Sequence, residues 1–297
     1  MSNKLRKMTL EKKHNLTGWA FLAPATFLIA VFSFWPMIKA LVLSFQTGKG
    51  RNMQMAGFTN YIRMFQDDVF IQSIKNTFFY FILQVPIMLV VALVLACILN
   101  KKDLRFKGFF RTMIFVPCTT SLVAYSIIFR SLFANDGLVN YVLVNLGILD
   151  KPYNFLTQPF AAKIVIILAL LWRWTGYNMV FFLSGLQNIE YSVYEAAKID
   201  GASAIQTFFK ITVPLLKPTI LLTAIMSTNG TLQLFDESVN LTDGGPANAS
   251  ISMSHYIYNL CFKYVPNFGY AAAMYFFILL LVAVLAFIQM RVGDKRD

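Results

Sequence analysis

The sequence is poor in the residues from which soluble enzymes build their sites. Two histidines, His14 and His255, and three cysteines, Cys97, Cys118 and Cys261, show no spacing for a metal or for a disulfide framework. No nucleophile stands beside a base, so a polytopic membrane enzyme is the weakest reading and no catalytic residue, metal or cofactor is expected. The phosphate loop GxxxxGK[ST] is missing, which takes ATP hydrolysis away from this chain. Charge is scarce at 13% of residues, and acidic charge scarcer, with 14 Asp and Glu against 26 Lys and Arg. Also missing is the short apolar core of a cleavable signal peptide, about 7 to 15 residues long. The first apolar run covers 16–45 and reads as an uncleaved span.

What remains is apolar: 57% of the residues are hydrophobic, the composition of a multi-pass membrane protein. About 20 apolar residues cross the hydrocarbon as a helix, and six stretches qualify: 16–45, 77–99, 109–133, 161–186, 219–241 and 270–290. Unpaired backbone is too costly in lipid for anything but helices or closed barrels. The expected fold is therefore all-α, a six-helix domain at 16–291 with tails at 1–15 and 292–297. With the N-terminus inside, the inner segments and their edges hold sixteen Lys and Arg, including Lys101, Lys102, Arg105, Lys107 and Arg111, and the outer segments six. That asymmetry places both termini in the cytoplasm of a cell membrane. It also accounts for the net charge of +12 without nucleic acid.

Outside the spans, Gly57-Phe58-Thr59-Asn60-Tyr61 suggests a turn and a short amphipathic helix on the outer face. Asn135-Asp136-Gly137 and Lys151-Pro152 are turn signals in the next outer loop. The stretch LTDGGPANAS, 241–250, reads as a shaped external turn or as a plain hairpin between the last two spans. Arg130 is placed to snorkel to the interface.

Polar residues inside spans are the candidates for a pathway. Asn229, Gln233, Asp236, Glu237 and Asn240 fall at about 0°, 40°, −20°, 80° and 20° around an ideal helix, one stripe. Polar groups at membrane depth face a bundle interior or a watery path, so the stripe is either one wall of a translocation pathway or a seam bonded to a partner subunit. Amides suit neutral hydroxylated cargo because they both donate and accept. In the fourth span Trp172, Arg173, Trp174, Tyr177 and Asn178 offer aromatic faces for sugar rings, or else packing and interface anchors.

The longest polar interval that still reads as ordered is 190–218. Glu195, Ala196, Ala197 and Lys198 are good helix formers, Asp200-Gly201 supplies a left-handed stop, and a second helix is expected from Ala202 to about Ile211, ended by Pro214. Glu195-Ala196-Ala197, three residues, Gly201, nine residues and Ile211-Thr212-Val213-Pro214 together resemble the EAA loop of the membrane subunits of binding-protein-dependent ABC importers. Val213 stands where that family usually has Leu. An amphipathic helix lying on the inner membrane face is the plainer reading. GLQNI at 185–189, Tyr194, LFDESVNLTDGGPANAS at 234–250, Ala23-Pro24 and NFGYAA at 267–272 extend the likeness over all six spans to carbohydrate permeases of the lactose and multiple-sugar type. Glu190 replaces the usual Pro before the loop. The resemblance implies a type I importer permease that carries a di- or oligosaccharide, with a polyol or a glycerol phosphate ester as the alternative cargo. It implies a second permease subunit, two copies of a cytoplasmic ATPase that docks on Glu195, Ala196, Ala197, Asp200, Gly201, Ala202 and Pro214, and an extracellular sugar-binding protein.

Overall fold

The computed structural model describes residues 10–49, 52–101 and 103–293. The expected basic tail up to residue 9, together with Arg51, Lys102, Lys295 and Arg296, lies outside them. Four helices are long and apolar enough to cross a membrane, and six spans result when two sharply bent helix pairs each count as one.

The first span, α1, runs from Leu10–Ile29 through a π-turn at Ala30–Phe34 into Trp35–Ser44. Its apolar stretch has no buried residue. Its second half, Trp35–Ser44, packs against the last span, Phe268–Gly293, and at its end Asn60 Nδ2 donates to the carbonyls of Ser44 and Gln46 at 2.9 and 2.8 Å. Those bonds satisfy acceptors that a helix terminus leaves unpaired. A hairpin of β1 (Gln46–Lys49) and β2 (Asn52–Met55), with Gln46 opposite Met55, precedes the short α2 (Thr59–Met64). The short helix agrees with the sequence expectation. The hairpin had no signal in it.

The core is the pair α3 (Asp68–Leu99) and α7 (Pro159–Gln187). Tyr80 packs among Ile166, Ile167, Ala169 and Leu170, while Ala92, Leu93, Ala96 and Leu99 pack against Met179, Phe182, Leu183 and Leu186. Residue numbers rise together along both, so the two helices run parallel. Ala92, Ala96 and Ala169 are fully buried, and small side chains of this kind let membrane helices approach closely.

The third span is broken. α4 (Lys107–Thr119) and α5 (Leu122–Leu132) meet at 99°, so the expected straight helix over 109–133 is corrected to two. Between α5 and α7 the connecting loop carries α6 (Leu138–Asn145). α8 (Tyr191–Ile199) and α9 (Ala204–Leu215) form the expected helix-turn-helix before α10 (Lys217–Leu232), which leaves α9 at 71°.

The fifth span is corrected in the same way. α10 stops at Leu232, and the chain restarts as α11 (Asp236–Asn240). The stretch 241–250 is a shaped turn, as expected, and not a plain hairpin, because it folds back against α3. Asn76 Nδ2 donates to the carbonyls of Ile251 and Asn248 at 2.9 and 3.2 Å, Tyr80 donates to Ser250 O at 2.9 Å, and Thr77 Oγ1 accepts from Met253 N at 3.2 Å. Irregular backbone at this depth survives only where such partners replace water. α12 (Met253–Tyr258) and a π-turn at Asn259–Lys263 then lead to the last span, α13 (Phe268–Gly293).

Candidate functional site

The two broken spans enclose a cavity of about 540 Å³ beside the α3–α7 pair. Gln84 and Met88 of α3, Trp174, Tyr177 and Asn178 of α7, Ser227, Gly230 and Thr231 of α10, and Gln233, Asp236 and Glu237 at the second break contribute to its lining. Much of the polar wall is tied together. Thr231 donates to Gln84 Oε1 at 2.8 Å, Ser227 donates to Asn178 Oδ1 at 3.2 Å, and Asn178 Nδ2 donates to Trp174 O at 3.0 Å. The amides are thereby oriented before any cargo arrives.

Of the expected stripe, Gln233, Asp236 and Glu237 reach the cavity, while Asn229 and Asn240 are not among its lining residues. Asn229 accepts from Gln233 Nε2 on an exposed face, and Asn240 donates to Asp236 O at 2.9 Å. The helical projection separated from the structure because the helix ends at Leu232, after which the 100° step no longer applies. Tyr177 and Asn178 line the cavity. Trp172 does not; it stacks on Tyr125, with ring centroids 6.2 Å apart, and tilts against Phe129. Gln84, Ser227 and Thr231 escaped the sequence reading. Gln84 had a usable signal, since it lies four and eight residues after Tyr80 and Asn76 in an otherwise apolar helix and so shares their face.

Arg173 is not among the cavity's lining residues and instead bridges the break in the third span. Its Nη1 donates to Thr120 O at 2.6 Å and to Pro117 O, which also accepts from Thr120 N, at 3.4 Å where α4 ends. A cation at a helix C-terminus also opposes the negative end of the helix dipole.

At the other end lies the helix-turn-helix. Gly201 has φ +77°, and the amides of Gly201 and Ala202 bond back to Lys198 O and Ala197 O at 3.2 and 2.9 Å. Such a left-handed residue closing a helix favours glycine. Ser203 opens α9 with a capping box, accepting from Gln206 N while Gln206 Oε1 accepts from Ser203 N at 2.8 Å. Pro214 does not end this helix, contrary to expectation. A π-turn over Phe208–Thr212, in which Val213 N reaches back to Phe208 O, widens the coil just ahead of the proline. Ala197 is buried, whereas Glu195, Ala196 and Asp200 are exposed. Ile199, Ile205 and Phe209 stand 86, 71 and 65% exposed, an apolar patch at the tip of the loop.

The family described as the binding-protein-dependent transport system inner membrane component matches residues 68–296. The chain belongs to it. This makes it the permease subunit of an ABC importer and not an enzyme. The permease is 51% identical to the lactose transport system permease protein of Rhizobium radiobacter, covering 98% of both chains. It is 34% identical to the multiple sugar-binding transport system permease protein of Streptococcus mutans, covering 97% of this chain and 99% of that one. Among solved structures, a bacterial ABC transporter that imports the acidic polysaccharide alginate matches with a TM-score of 0.84 over 96% of the permease and 97% of that chain, at 24% identity. The overall fold is thus that of a solved ABC importer permease.

Proposed function

We propose that this permease carries a neutral di- or oligosaccharide, of the lactose type, through the cavity at the two broken spans. The observation that carries the reading is the chemistry of that wall: Trp174 and Tyr177 beside Gln84, Asn178 and Gln233, with Asp236 and Glu237 and without Lys or Arg. Aromatic faces suit the apolar faces of sugar rings, amides and carboxylates suit hydroxyls, and about 540 Å³ falls within the range of small-molecule sites. A glycerol phosphate ester or an acidic sugar would meet carboxylates where it needs cations. The relatives named for lactose and multiple sugars support the same class of cargo.

In this reading the chain forms half of the pathway. A second permease forms the other half, and one of two ATPase copies grips the loop over 190–218, with Glu195 and Asp200 exposed and Ile199, Ile205 and Phe209 supplying apolar contact. A sugar-binding protein delivers cargo from outside, and both termini lie in the cytoplasm, flanking a membrane domain at 16–291. Purification of the chain from native membranes in mild detergent tests the assembly. Recovery of a second permease and a P-loop ATPase, both lost when 195–214 is scrambled, is expected. ATP hydrolysis stimulated by sugar-loaded binding protein then identifies the cargo. A chain recovered alone refutes the assembly, and stimulation by a phosphorylated polyol in place of any neutral sugar refutes the cargo.

A further inference from the structure

The third and fifth spans both break, and side chains join the two breaks. Arg173, 6% exposed, donates to the carbonyls of Pro117 and Thr120 at the end of α4. Its guanidinium carbon lies 4.8 Å from the centroid of the Tyr125 ring, one turn past the same break. Tyr125 is fully buried and donates its hydroxyl to Glu237, which opens α11 just past the break in the fifth span. Glu237 is 4% exposed and lines the cavity. A continuous line therefore runs from the hinge of the third span to the cavity wall. Moreover, Arg173 Nε is shielded and has no hydrogen-bond partner among the described residues. A spare donor on a cation thus stands one phenol ring away from a buried carboxylate.

We propose that Arg173, Tyr125 and Glu237 are positioning residues through which engagement of the cavity wall is transmitted to the hinge in the third span. Two arrangements satisfy the buried carboxylate: the one seen here, with Glu237 on the Tyr125 hydroxyl, and a second in which Glu237 passes to Arg173 as the hinge turns. Buried polar groups are costly when unpaired, so the exchange favours two discrete states over a continuum. Arg173 keeps its grip on the break in both.

The inference rests on the importer assembly proposed above, and its test uses that assembly: this chain with its partner permease and ATPase in proteoliposomes, with and without sugar-loaded binding protein. Tyr125→Phe removes one hydroxyl and keeps the ring that packs on Phe129 and Trp172. Basal ATP hydrolysis should persist, while stimulation by loaded binding protein falls about tenfold, the scale of one lost buried hydrogen bond to a charged group. Glu237→Gln still accepts from Tyr125 but offers Arg173 no charge, and it should lose stimulation as well; it decides the matter should Tyr125→Phe fail to assemble. Stimulation at the wild-type level in either assembled variant overturns the inference. Failure of the wild-type complex to respond at all overturns the importer assembly itself.

Discussion

Gly176 lies where α7 crosses α4, and adding a single methyl there should be among the most damaging small changes to this molecule. A Cβ on Gly176 would stand 1.9 Å from Ile114 O, 2.7 Å from Ile114 C and 3.1 Å from Phe115 Cα. All three obstacles are backbone, so no rotamer change relieves them. The closest distance must grow from 1.9 Å to at least 3.0 Å, and that moves a helix. Overpacking of a core costs about 1–3 kcal/mol, and backbone obstruction argues for the upper end. Moving α4 also draws Thr120 O away from Arg173, three residues before Gly176 on α7. At roughly 2–4 °C per kcal/mol for a chain of this size, Gly176→Ala should melt about 6–12 °C below wild type. Fluorescence-detected size exclusion of heated detergent samples measures this. Gly18→Ala is the control, since a Cβ at Gly18 meets nothing within 4 Å and alanine favours a helix by about 0.5–1 kcal/mol. Gly176→Ala melting within about 2 °C of wild type would refute the close crossing.

Gly201→Trp should assemble with its partner permease yet abolish uptake, because a Cβ there meets nothing within 4 Å but the bulky residue is forced to φ +77° on the proposed docking loop. Full transport by the variant sinks the coupling-loop assignment. Gly230→Phe fills the cavity from a position with no neighbour within 4 Å, so the melting temperature should hold while sugar uptake falls at least about tenfold. Unchanged uptake would remove the cavity from the pathway. Burial pushes the His255 imidazole down to about 4, with Asp243 opposing and Lys263 adding to the shift. The unfolded chain takes up a proton below the ordinary 6.5 and the folded chain does not until about 4, so stability falls as pH drops through that window. His255→Gln should flatten this part of a melting-temperature profile, and an identical profile would show that the histidine is not responsible.

Membrane class, the count of spans and the helix-turn-helix were legible in the chain because their causes are local. Apolar runs of the right length insert, and Gly201, Ser203 and Gln206 stop and start helices through bonds spanning only a few residues. Only the tertiary structure decided where spans break. Residues 229–240 have an unbroken helical pattern, and α10 ends at Leu232 because Asn76, Thr77 and Tyr80, more than 150 residues away in the chain, bond the irregular backbone that follows. Likewise the gap after Thr119 is held by Arg173, which the sequence offered as a cargo contact. The cavity inherited that dependence. Gln233, Asp236 and Glu237 reach it while Asn229 and Asn240 do not, because a break redirects side chains that a continuous helix would have kept on one face.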